Sequence, residues 1–190
     1  MGVVNMNKII CVDTETGGVN PFNSALCSVT LKVVGEDKIK TIYIEPTENR
    51  EYAPIAFKIN GLSKDYLQEH GVSELEAINQ IKQFVKNEGG FKPIVLAHNI
   101  IFDVQFMNAL FARHNQGLFM DMMHYHPMDT MILMKALKNN KIIQIDSISL
   151  SSCYKYFFGD MFKGAHTSEG DVIATEELYL KINELMNKSL

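Results

Sequence analysis

Apolar and polar positions change period several times along the chain. Lys8 to Val12 is an almost unbroken apolar run and predicts a buried strand. "ALCSVTLKVV" (25–34) and "IKTIYIEP" (39–46), joined by "GEDK" (35–38), predict the two strands of a hairpin. Alternation in "IKTIYI" is only partial, so at least one face is covered. "EPTENREYAP" (45–54) is polar and bounded by prolines, which predicts a loop. From Gly71 the period lengthens to that of a helix. Ser73 can cap it, with Glu76 at capping-box spacing. Leu75, Ile78, Ile81, Phe84 and Val85 share one face, and Gly89-Gly90 ends the run. "PIVLA" (93–97) fits a short buried strand that leads through "HNII" into a helical "FDVQFMNALFARHN". Asp129 is placed to cap "TMILMKALKNN", and Ser147 to cap "ISLSSCYKYFF". A last helix starts near Glu169, with Val172, Ile173, Leu178, Leu180 and Ile182 on a broad apolar face. Strands early and helices late predict α/β or α+β, with a mixed central β-sheet flanked by α-helices. No repeat or linker divides the 190 residues, so one domain is expected over 1–190.

Composition narrows this picture in three ways. No stretch has the length and apolarity of a membrane span, and the start lacks a signal-peptide pattern. Gly2 is followed by Met6 where myristoylation needs Ser or Thr. The three cysteines, Cys11, Cys27 and Cys153, are odd in number and widely spaced, as expected for reduced core thiols in a cytoplasmic protein. The 18 basic and 22 acidic residues give a net charge of −4. Four acids gathered around metal ions would leave the rest in balance with the bases. A polyanionic substrate is therefore compatible with the charge, whereas a long basic groove is not.

Candidate chemistry starts at "VDTETGG". Asp13 and Glu15 are two residues apart, the strand period, so their side chains share a face. Paired carboxylates repel and tend to protonate unless a cation joins them, and hard divalent ions take such oxygens. A solvated strand end explains this pair equally well. Asp103, in "AHNIIFD", and Asp171, in "AHTSEGDVIAT", lie near helix starts, where capping is the ordinary role of an acid. Ser168 and Asp171 also have capping-box spacing. His166 precedes that helix in a position open to solvent. His124 and His126 have strand-like spacing but few further ligands nearby, which favours a surface loop. Asp129 is better read as a cap than as a fifth acid. The methionines between Met120 and Met134 are better read as packing.

Together, "DTET", "HNIIFD" and "HTSEGD" resemble, in order and approximate spacing, the three motifs of the DEDDh exonucleases. This is the DnaQ-like group that includes the proofreading epsilon subunit of bacterial DNA polymerase III. The resemblance runs from about Lys8 to Leu185. It implies a ribonuclease H-like fold and 3′–5′ exonuclease activity with two divalent ions, Mg²⁺ or Mn²⁺. Asp13, Glu15, Asp103 and Asp171 would hold the ions, with Asp13 bridging both. His166 would act as general base, since Thr167 stands where the sister branch has Tyr. Thr16, His98 and Asn99 match positions near the substrate end, and Ile59 and Asn60 fall in the segment that packs near the terminal nucleotide; Phe102, Phe22 and Val19 are candidates for stacking the last bases. Nucleic-acid 3′ ends are the implied substrate, with single-stranded DNA favoured over RNA, and a DNA polymerase is a candidate partner. A non-catalytic binding module and an unrelated phosphohydrolase are the rival readings. The chain departs from the family at Gly17, where a second Thr is frequent, at Ser168, where Ala is common, and at Asn60, where His is frequent. "EGD" resembles the three-prime repair exonucleases, but their Pro-rich insertion has no counterpart.

Overall fold

A computed structural model describes residues 7–188. Gly2 and Met6, weighed above for acylation, lie outside the described residues. Five strands form one mixed sheet in the order β3-β2-β1-β4-β5. β1 (Ile9–Thr16), β2 (Leu26–Val33) and β3 (Ile39–Tyr43) make an antiparallel meander. β4 (Ile94–Ala97) and the two-residue β5 (Met128–Asp129) extend it in parallel on the other side of β1.

Strand alternation divides the sheet into two unlike faces. Ile10, Val12, Val29, Leu31 and Val33 point into the largest core cluster. There they meet Ile78 and Ile81 of α3 (Glu74–Phe84), and Phe106 and Leu110 of α4 (Ile100–Arg113). The opposite face carries Cys11, Asp13 and Glu15 on β1. Across the antiparallel pair these meet Lys32, Thr30 and Ser28 on β2. Over this face lies α7 (Ser168–Lys188), through Val172 and Tyr179 packed on Cys11 and Leu96. Leu178 and Ile182 of α7 build a separate cluster with Met134 and Leu137 of α5 (Thr130–Asn139) and Cys153 of α6 (Leu150–Phe158). All three cysteines are free and buried. Among the described residues no helix is long and apolar enough to cross a membrane.

The differences from the expected elements have local causes. β1 continues through Thr16, so Asp13 and Glu15 lie inside the strand rather than at a frayed end. The polar segment after β3 gives way to two short helices, α1 (Pro54–Asn60) and α2 (Lys64–His70). Seven residues each are too few to display a helical period. Ser73 caps α3 by accepting from the Glu76 N–H at 3.2 Å. Glu76 does not complete a capping box; its carboxylate accepts from Gln80 at 2.9 Å. Leu75 is 46% exposed, and Ala77 takes the buried place beside Ile78. Ser149, not Ser147, caps α6 by accepting from the Ser152 N–H. Ile173 and Leu180 lie on the open side of α7, 38% and 47% exposed.

Candidate active site

Asp13 and Glu15 leave the polar face of β1, and Asp171 comes from the first turn of α7. These three partly buried acids can each place a carboxylate oxygen within 4.8 Å of the others. Asp103, buried in the first turn of α4, stands beside this set but is not part of it. Its Oδ1 accepts from the Thr14 amide at 2.9 Å and from the Thr14 hydroxyl at 2.8 Å. Those two bonds tie Oδ1 to β1.

The acids crowd without neutralisation. None of the ion pairs formed among the described residues includes any of the four. Burial, then repulsion from Asp103, Asp171 and Glu15, raises the Asp13 carboxyl well above the usual range. Glu15 is pushed up to about 8 by burial and by Asp171 and Asp103, with a hydrogen bond from Asn60 in opposition. Burial takes Asp103 up to about 7, against the opposing bonds from Thr14. Asp171 rises to about 6 through burial, opposed by the His166 backbone. A set of converging oxygens that destabilise one another suits hard divalent cations, which restore the charged forms. The donor set therefore fits Mg²⁺ or Mn²⁺.

His166 is exposed, in a left-handed backbone conformation at φ 68°, two residues after Gly164 at φ 74°. Its N–H donates to Asp171 Oδ1 at 3.2 Å, which fastens the loop to the acid cluster. The capping expected of Ser168 is done instead by Thr167, whose hydroxyl accepts from Gly170 N–H at 3.1 Å.

Two cavities meet at Glu15 and Asn60. One, of about 220 Å³, is lined by Thr14, Thr16, Val19, Ile59 and Phe102 among others. The other, of about 320 Å³, is lined by Ser28, Tyr43, Leu62, Lys163 and Ser168 among others. Thr16, Ile59, Asn60 and Phe102 are thus gathered beside the acids. Asn60 is buried, donating to Thr16 O at 3.3 Å and accepting from Leu62 N–H at 3.0 Å. Gly17 could not be Thr here without movement, because a Cβ would collide with Glu51 O.

His98 and Asn99 stand differently. Both His98 ring nitrogens are occupied, by Thr130 Oγ1 at 2.9 Å and Ile148 O at 2.9 Å. A carbonyl only accepts, so Nε2 carries the hydrogen, and burial lowers the ring's basicity. The ring ties β4 to α5 and to the approach to α6. Asn99 is the N-cap of α4 at φ 71°. Its N–H and that of Ile100 donate to the Asp129 carboxylate, both at 3.1 Å. Asp129 also caps α5 through Met131 and Ile132, so it is a cap for two helices and not a fifth site acid. His124 stacks on Tyr125, His126 packs against it at a tilt, and neither belongs to an acid or thiol cluster among the described residues.

Three comparisons bear on this arrangement. The exonuclease family model RNase_T matches residues 10–179. The chain belongs to the exonuclease family. It is of the DnaQ-like DEDDh type. Ribonuclease T of Vibrio parahaemolyticus is 32% identical over 134 residues, covering 64% of this chain and 61% of that protein. Ribonuclease T of Pectobacterium atrosepticum is 31% identical over 116 residues, covering 55% and 52%. The chain thus spans between half and two thirds of these relatives' length. Escherichia coli Exonuclease I in complex with a dT13 oligonucleotide superposes with a TM-score of 0.80 at 19% identity, over 96% of this chain and 43% of that one. The zinc-bound complex of the same enzyme with single-stranded DNA gives 0.78 at 20% identity, over 92% and 40%. At that identity the likeness establishes the exonuclease fold, the ribonuclease H-like mixed sheet described above.

Sequence reasoning missed Thr14, which holds Asp103, and Ser28, which lies opposite Glu15 in the β1–β2 register.

Proposed function

We propose that the chain removes nucleotides one at a time from the 3′ end of single-stranded DNA, using two divalent ions, Mg²⁺ or Mn²⁺. One observation carries this reading: three carboxylates from two distant parts of the chain converge, uncompensated, beside a fourth. Asp13, Glu15, Asp103 and Asp171 would hold the ions, which supply Lewis acidity for phosphodiester hydrolysis when bound. His166 accepts a proton from the attacking water. Imidazole is the side chain most often used for such proton transfers. Phe102, Ile59 and Thr16 flank the terminal nucleotide in the smaller cavity, and exposed Val19 and Phe22 offer apolar surface to the base before it. Sites this small favour a single strand, and the oligonucleotide bound by Exonuclease I supports that choice. A second reading, trimming of RNA 3′ ends, is favoured by the likeness to Ribonuclease T. A DNA polymerase is a candidate partner on the family resemblance alone.

The test uses 3′- and 5′-labelled DNA and RNA strands with Mg²⁺, Mn²⁺ or EDTA. Metal-dependent loss of single nucleotides from the 3′ end is expected, and none in EDTA. His166→Ala should lower kcat by about 10²–10⁴-fold and leave Mn²⁺ affinity unchanged. Tight binding without cleavage would identify a binding module, and an unchanged rate in His166→Ala would remove the general base.

A further inference from the structure

The metal site proposed above requires Asp171 to remain against acids that repel it. What holds α7 there is a line of polar contacts on its sheet-facing side. Ser168 opens the helix, yet its hydroxyl does not cap it. It lies 3.1 Å from Ser28 Oγ and 2.9 Å from Thr30 Oγ1, and all three residues are at most 3% exposed. Thr30 continues to Thr41 Oγ1 at 2.9 Å, and Thr41 donates to the Glu169 carboxylate at 3.2 Å. Because Glu169 can only accept, the chain has one direction. Ser28 donates to Ser168, Ser168 to Thr30, Thr30 to Thr41, and Thr41 to Glu169. Two turns along α7, Glu176 meets Lys32 Nζ at 2.8 Å and the Gly35 N–H at 2.6 Å. Ser28, Thr30 and Lys32 are alternate residues of β2, and Ser168 and Glu176 lie eight apart on one side of α7.

Apolar side chains would fill the same space without the cost of burying hydroxyls. They would also tolerate a small slide of the helix. Hydrogen bonds near 2.9 Å do not, since a slip of one residue moves a helix by about 1.5 Å and turns it by about 100°. We propose that Ser168 is a positioning residue: the Ser28–Ser168–Thr30 hydroxyl chain, with the Lys32–Glu176 pair, sets the axial register of α7 and holds Asp171 beside Asp13 and Glu15 before any metal arrives. The inference rests on the reading of those acids as a metal site.

Thr30→Val keeps the shape of the side chain but leaves Ser168 without its acceptor and Thr41 without its donor. Calorimetric titration of the folded protein with Mn²⁺ should show affinity weakened by about tenfold, the effect usual for loss of a supporting hydrogen bond at a metal site. In the cleavage assay, the Mg²⁺ concentration at half activity should rise in parallel while KM for the oligonucleotide stays within about twofold. Thr30→Ser, which keeps the hydroxyl, should restore the parent's metal affinity. Ser28→Ala serves as the second variant if Thr30→Val does not fold. Unchanged Mn²⁺ affinity in the folded variant, or Thr30→Ser as impaired as Thr30→Val, would overturn the proposal. A parent that binds Mn²⁺ but cleaves nothing would remove the nuclease reading and leave the binding test of the hydroxyl chain standing.

Discussion

The two faces of the sheet are made by the same strands and do opposite work. On one, Val12, Val29, Leu31 and Ile42 are at most 3% exposed and pack against α3 and α4. On the other, Asp13 and Glu15 face Thr30 and Ser28 beneath α7. Alternation alone separates them, by one residue. The apolar face gains stability from every contact. The polar face carries mutual repulsion among its acids, and its hydroxyls gain little beyond their own satisfaction. The proposed cation site is a deficit in a sheet whose other side supplies the surplus.

The largest break in that contrast comes from the acids. Glu15→Gln should lower exonuclease turnover by about 10²–10³-fold. In EDTA it should raise stability by about 1 kcal/mol, a rise in Tm of roughly 2–4 °C for a chain of this size. Burial that favours the neutral carboxyl at Glu15 favours its amide analogue too. Calorimetric melting with and without Mg²⁺ checks both the rise and its reversal by metal.

Next comes the apolar face. Leu31 is fully buried, and Leu31→Ala should destabilise by about 3 kcal/mol through lost transfer energy and a cavity. Chemical denaturation measures it. The metal dependence of the rate in the folded fraction should not change, which separates this face from the other.

The smallest effect is a pH slope that only one face produces. Glu15 near 8, Asp103 near 7 and Asp171 near 6 are all raised above ordinary carboxylates. Their folded forms therefore bind more protons than the unfolded chain above about pH 4. Stability is fully present below about pH 4 and is lost progressively as pH rises from there through the folded values of about 6, 7 and 8. In EDTA the loss from the partly exposed Glu15 and Asp171, discounted for solvent screening, should amount to about 1–2 kcal/mol. Saturating Mg²⁺ should flatten the slope, whereas Leu31→Ala should lower the curve without tilting it. Tm against pH, in EDTA and in Mg²⁺, distinguishes these outcomes.

Much of this was legible because it is periodic or local. The hairpin, α3, α4, α5 and α7 announce themselves by spacing, and Asp129 and Ser73 by their place before a helical run. Asp13, Glu15 and Asp171 were singled out by the order of three short motifs, while only the fold could show that they converge. Less was legible where length or distance hides the signal. α1 and α2 have seven residues each between prolines and glycines and look like loop. Leu75, Ile173 and Leu180 satisfy a helical stripe but fall on its margin, beyond the reach of the core. Ser28 and Ser168 meet across 140 positions, and no local rule pairs two serines.

Asp129 has one more consequence. Its carboxylate receives amides at the head of α4, thirty positions earlier, as well as those of its own helix. The intervening segment leaves and returns to a single clasp. Insertions within its connecting turns can lengthen the protein while the platform under Asp103 stays fixed, so length variation among relatives should concentrate there and spare Asp129 itself.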